Sequence, residues 1–312
     1  MAQLSQNSYG KQRVRLTKIV REQAGGDRAP GGAGQPDSGR ADAAPVHHVH
    51  EYTVEIMLYG AFDRVYTHGE NATCVPTDTM RNTVYAVARK TSFTDPEELA
   101  DAVSRRFTER FPQVHAVDVS VEAERWRRID VDGKPHPHAF EKEHGKRTAV
   151  VSRQGGAGSA SRARFSAGIG GMEVFKSTGS AFSGFYKDEY TTLPETEDRI
   201  LATTVDADWD YDGTVVPGQT DFAGMWQTVH DTVARVFAEH DSPSLQATLW
   251  EMGKAVLSAV PAVRRVSFSM PNQHHIRFDL EKLGLDNPNE IFYGTDSPYG
   301  IITGTVEREE ES

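Results

Sequence analysis

The sequence holds a single cysteine, Cys74, among 312 residues. One thiol excludes an internal disulfide and any site built from several cysteines, and it fits a reducing compartment. Positive charge is also scarce. The 34 Lys and Arg stand against 45 Asp and Glu, a net charge of -11, which excludes general adhesion to nucleic acid or to an anionic membrane. An anionic ligand therefore has to be captured locally. No apolar run approaches the length of a membrane span, and the opening MAQLSQNSYGKQRVRL lacks the apolar core of a signal peptide. The closing Glu-Arg-Glu-Glu-Glu-Ser is an acidic tail and not a peroxisomal address. The expected location is the cytoplasm.

What remains is enough apolar residue, 38% of the chain, to build a sizeable core in one large or two ordinary domains. Val14 to Arg21 reads as a first strand. Residues 23–45, rich in Gly, Ala, Pro and Asp, cannot repay their ordering entropy and read as a disordered hairpin tip. His50 to Tyr66 reads as a long strand with a bend at Gly60. Thr77, Asp78 and Thr79 carry an N-cap signature for a helix to Lys90, and Thr94-Asp95-Pro96 starts a second, with Leu99, Val103, Phe107 and Phe111 on one face and Pro112 as its stop. Val117, Val119 and Val121 alternate with polar residues as a half-buried strand.

The order then repeats. Strands are expected over Thr148 to Arg153, Ala167 to Phe175 and Ile200 to Trp209, with a second flexible tip at 154–166. An amphipathic helix runs from Phe222 to Phe237, and a helix capped by Ser244 runs to about Val260. Strands at Val266 to Met270, Ile276 to Leu280 and Ile301 to Val306 close the chain. The reading is an α+β class of two similar halves, residues 9–147 and 148–307, each an antiparallel sheet with helices on one face.

Chemistry concentrates in Lys176 to Ile200, KSTGSAFSGFYKDEYTTLPETEDRI. Phe182 offers a ring to stack on and Arg199 a planar fork of donors, a pairing suited to a flat, anionic, hydrogen-bonding ligand. The alternative is a core aromatic and an arginine paired with Glu195 or Asp198. Leu245 and Gln246 open a helix, where free N–H groups favour an anion and an amide adds a planar donor and acceptor. In SMPNQHH, a strand entering a proline turn would present Asn272 and His274 to a ligand. Lys11 in Tyr9-Gly10-Lys11 and Thr77 beside Asp78 offer a proton relay, since a desolvated lysine acts as a base through a hydroxyl. His47, His48 and His50, or His136 and His138 held by prolines in an extended turn, offer a metal-ligand alternative.

Taken in order, YGK, Thr77-Asp78 with Asn82-Thr83, DGKPHPHAF, the stretch from Lys176 to Ile200, SLQAT from Ser244, SMPNQHH and Asp296-Ser297-Pro298-Tyr299-Gly300 closely resemble the urate oxidase (uricase) family along nearly the whole chain. The resemblance implies two tandem tunnelling-fold (T-fold) domains, a homotetramer whose sheets close into barrels, and active sites between subunits. It implies oxidation of urate by dioxygen and water to 5-hydroxyisourate and hydrogen peroxide, with no cofactor and no metal. By the same resemblance, Phe182 stacks on urate, Arg199 and Gln246 grip it, the backbone at Leu245 contacts it, and Asn272 and His274 lie above the ring. Lys11 and Thr77, with Asp78 alongside, form a relay from the neighbouring subunit. The inserts 23–45 and 154–166 depart from the family pattern.

Overall fold

The computed structural model describes residues 2–22, 46–155 and 161–309. The expected tip at 23–45 and the middle of that at 154–166 lie outside them. Eight strands alternate with helix pairs: β1 (Tyr9–Glu22), β2 (Val46–Gly60), α1 (Asp63–His68), α2 (Thr77–Lys90), α3 (Pro96–Arg110), β3 (Val114–Val131), β4 (Lys134–Gln154), β5 (Arg162–Lys176), β6 (Leu201–Tyr211), α4 (Phe222–Glu239), α5 (Leu245–Ala259), β7 (Val263–Arg277) and β8 (Phe292–Glu307). All eight strands form one antiparallel sheet in chain order. The two sheets read from the sequence are thus joined, because β4 and β5 pair from Lys146–Gly170 to Gln154–Arg162. A division after residue 147 falls inside β4.

The sheet has one greasy face. Tyr52, Val54, Ile56 and Leu58 of β2 are buried, and so are Val117, Val119 and Val121 of β3, which β2 pairs in register. Against this face α3 packs on β3 and β4, α4 on β5, and α5 on β7 and β8. Leu99, Val103 and Phe107 of α3, and Phe222, Trp226, Val229 and Val233 of α4, point into the resulting core. The opposite face keeps its charges paired across strands, as in Lys142 with Glu124 (2.9 Å) and Lys146 with Glu122 (2.6 Å). No described helix is long and apolar enough to cross a membrane.

Several local expectations are corrected. The strand from His50 ends at Gly60, because a Cβ there would lie 2.0 Å from the Gln113 carbonyl oxygen. Residues Asp63–His68 then form a helix closed by Gly69 in the left-handed region, φ 68°. Thr77 is the first residue of α2 and does not cap it; Pro76 holds that position and no side chain accepts a capping bond. DGKPHPHAF forms no extended proline turn. The chain reverses at Asp132 and Gly133, both at positive φ, and Lys134 already pairs with Val131. His136 and His138 therefore lie on β4. The tip at 154–166 is shorter than expected, since β5 begins at Arg162. Pro271 makes no turn either: β7 runs through it, with Pro271 opposite Ile301 of β8. Beyond Arg277 the chain leaves the sheet for a single 3-10 turn at Glu281–Leu283, where a strand to Leu280 was expected.

Candidate active site

The loop between β5 and β6 is built around its hydroxyls and one aspartate. Asp198 accepts from the Thr178 hydroxyl (2.8 Å) and the Gly179 amide (3.2 Å), and Gly179 takes φ 72°, a conformation that suits glycine. Phe182 and Thr196 exchange both backbone bonds, at 2.8 and 3.0 Å. The Arg199 amide donates to the Ser180 carbonyl at 2.8 Å. These bonds set the Arg199 guanidinium 5.1 Å from the centre of the Phe182 ring, over its face. Phe185, which drew no attention in the sequence, stacks on Phe182 with centres 4.9 Å apart.

Neither suggested salt bridge to Arg199 forms. Glu195 pairs with Lys187 at 2.6 Å, and Asp198 is occupied by Thr178 and Gly179. Among the described residues Arg199 has no carboxylate partner; its Nε reaches only the Ser180 hydroxyl, at 3.4 Å. Partial burial lowers its pKa from the ordinary arginine value, with no opposing charge to offset that loss of water. A guanidinium held over a ring and short of an acceptor is prepared for an anion that arrives from outside.

The same loop is stitched to the start of α5. Ala181 donates to the Ser242 carbonyl (2.8 Å) and Ser242 donates to Gly179 (3.0 Å). Ser242 and Thr248 are joined through their hydroxyls at 2.7 Å, and Ser244 caps the helix by accepting from the Ala247 amide at 3.1 Å. The cap was legible in the sequence; the Ser180–Ser242 bridge was not, because no spacing rule links residues so far apart. Leu245 is buried at 1% exposure, and Gln246 beside it is exposed with no hydrogen bond to a described residue. The loop that carries Phe182 and Arg199 is thus tied to the segment that leads into Leu245 and Gln246.

Asn272 lies on β7, opposite Thr203 of β6, four residues beyond Arg199. An irregularity between Asn272 and His274 breaks the register with β8, and Gln273 there donates to the Thr204 hydroxyl at 3.0 Å. Asn272 and His274 are both partly exposed.

Lys11 lies on β1, and Thr77 and Asp78 open α2, which packs on β1. A register shift after Lys11, with Arg13 at φ 58°, interrupts the β1–β2 ladder and leaves Lys11 partly exposed. Asp78 is held by Arg81 (2.5 Å) and by the Asn82 amide (2.9 Å). Within one chain these residues stand on strands far apart in the sheet order. Lys11 is on β1, at one edge of the sheet, and His274 on β7, six strand spacings away, or roughly 29 Å of sheet at about 4.8 Å each.

The histidines gather only loosely. His136 and His138 have ring centres 4.4 Å apart and His47 lies 5.8 Å from His138, whereas His50 packs against Tyr52 and Phe93. Among the described residues no group of three or more His, Cys, Asp or Glu is arranged to hold a metal ion. A cleft of about 860 Å³ between α2 and α3 contains none of the site residues.

An antiparallel sheet with helices on one face defines an α+β protein, with an arginine over a ring and without a carboxylate partner at one loop end. The family model described as Uricase matches residues 7–152 and 165–303. The chain is 40% identical over 307 residues to uricase of Arthrobacter globiformis, covering 98% of this chain and 90% of that one. It is 34% identical over 310 residues to uricase of Aspergillus flavus, covering 96% and 95%. The crystal structure of the Arthrobacter globiformis uricase superposes with a TM-score of 0.86 at 39% identity, covering 100% of this chain and 97% of that one. The chain belongs to the uricase family, and is with it an oxidoreductase of the urate oxidase type.

Proposed function

We propose that the chain oxidises urate with dioxygen and water to 5-hydroxyisourate and hydrogen peroxide, without a cofactor, in a site that two copies complete within a homotetramer. The observation that carries this is Arg199, partly buried, 5.1 Å over Phe182 and without a carboxylate. Urate is planar and anionic. Arg199 takes one edge through paired N–H donors, the Gln246 amide takes the opposite edge, Phe182 stacks beneath, and the backbone at Leu245 closes the rim. Phe185 stacks on Phe182 and holds that ring in place.

Two electrons leave urate and two protons must be managed with them. Loss of a second proton makes an electron-rich dianion that passes electrons directly to dioxygen. Dioxygen becomes peroxide, and water supplies the hydroxyl added at C5. Lys11 acting through Thr77, together with His274, moves the protons, while Asn272 holds dioxygen or water above the ring. Asp78, fixed by Arg81 and Asn82, orients the turn on which Thr77 sits.

Separation of Lys11 from His274 by most of the sheet supports a relay contributed by a second copy. So do the two long sheet edges, β1 and β8, which a barrel closed between copies would pair. The succession of strand pair, helices and strand pair occurs twice. It supports two tandem T-fold units over 9–147 and 148–307, their division falling within β4.

The test mixes metal-stripped protein with urate under air. Loss of urate with one peroxide formed per urate, unchanged by chelator, is expected. Activity that returns only with added zinc would assign the chemistry to a metal instead, and binding without turnover would leave a purine-binding scaffold.

A further inference from the structure

Tyr9 takes no part in the proposed chemistry, yet its hydroxyl is tied to the segment that enters α2. The Val75 amide donates to this hydroxyl at 2.6 Å. The ring packs edge-on against Phe62, which is fully buried, with centres 4.9 Å apart. Burial, then the Cys74 side chain, pushes the phenol well above its ordinary pKa, so the hydroxyl keeps its proton through the working range.

The connection is symmetric about that hydroxyl. Two residues after Tyr9 comes Lys11, and two residues after Val75 comes Thr77. Neither short stretch has slack. At Gly10 a Cβ would stand 1.8 Å from the Ile56 carbonyl oxygen, so the backbone between Tyr9 and Lys11 is pressed flat on β2. On the other side Val75 is buried and Pro76 is fixed at φ -57° as the residue before α2. Further straps hold the chain ahead of Tyr9: Asn7 donates to Asp63 (2.6 Å), and the Tyr66 hydroxyl donates to the Ser8 carbonyl (3.0 Å). Lys11 and Thr77 belong to segments that no backbone pairing joins; β1 pairs only with β2.

We infer that Tyr9 is a positioning residue for the Lys11–Thr77 relay: its hydroxyl bolts the start of β1 to the turn entering α2 and so sets the separation of the two groups. The inference rests on the relay proposed above. A ring in a core needs only its apolar body, and phenylalanine would serve; the hydroxyl is what spans the two segments.

The experiment compares Tyr9→Phe, Phe62→Leu and Lys11→Met in the full-length protein. It reads kcat, urate affinity without dioxygen, the pH profile of kcat, and melting temperature. Tyr9→Phe is expected to lower kcat about 10- to 100-fold, the scale of a misplaced catalytic group, with urate affinity within about twofold and a displaced pH profile. Phe62→Leu, which loosens packing but keeps the bolt, is expected to lower the melting temperature while keeping the profile. Tyr9→Phe that only melts earlier, with kcat per folded chain and pH profile unchanged, overturns the inference. Equal losses of affinity and kcat overturn it too. If Lys11→Met is itself fully active, the relay reading fails. A slow Lys11→Met beside a normal Tyr9→Phe defeats the role of Tyr9 alone.

Discussion

The last helix before the chain returns to the sheet, α3 in one half and α5 in the other, begins against the sheet, and the two beginnings are used in opposite ways. At the start of α3 a buried arginine is paired with two acids: Arg147 of β4 donates to Asp95 at 2.7 Å and to Glu97 at 2.6 Å. The next acid, Glu98, accepts from the amides of Thr94 (2.9 Å) and Asp95 (3.4 Å), and from Gly218 in the other half (3.2 Å). At the start of α5 the links are neutral, running through Ser242, Ser244 and Thr248, and the nearby Arg199 has no acid. Paired charge makes the first beginning a structural joint; withheld charge leaves the second able to bind. One architectural position, met twice, serves cohesion once and recognition once.

The largest effect expected from breaking this contrast is at the joint. Arg147→Ala leaves Asp95 and Glu97 buried without their partner and should cost about 3–5 kcal/mol in chemical denaturation. Arg199→Ala removes no internal ion pair, so the fold should persist within about 0.5 kcal/mol. The same change should weaken urate binding by about 100-fold or more, as measured by anaerobic titration. A large stability loss there would make Arg199 a second structural arginine.

Smaller effects sharpen the comparison. Ser244→Ala deletes the cap of α5 and should cost about 1 kcal/mol, visible as an earlier melt. Glu97 gives a pH signature. Burial pushes its carboxyl up to about 7, against the attraction of Arg147. The folded state therefore binds a proton that the unfolded state releases near the ordinary carboxylate range. Stability from this group is fully present below that range and is lost as pH rises towards about 7. Glu97→Gln should flatten the melting temperature across that window; an unchanged slope would place the proton elsewhere.

Much of this was readable from the chain. Alternation at Val117, Val119 and Val121, the 3.6-residue spacing of Leu99, Val103 and Phe107, and the Ser244 cap each state a local rule that the packing obeys. The failures are equally physical. Tyr66 looked like strand because its apolar ring gave no sign of the helical turn that Gly69 closes. Pro135, Pro137 and Pro271 looked like breaks, although a strand pairing through its other residues tolerates them. Arg147 and Glu97 were invisible, since charges in sequence read as surface until a fold buries them together. In the site, Phe182 and Arg199 were legible as types, but the withheld carboxylate is a property of space and has no pattern in sequence.

A sheet with Lys11 on its first strand and His274 on its seventh also makes dilution a form of inhibition under the proposed assembly. Turnover per chain then depends on how much protein is present. An assay run at concentrations below the dissociation constant of two copies would report a weak enzyme made of well-folded parts, and added urate, by bridging the shared site, would draw the copies together and produce a lag before full rate.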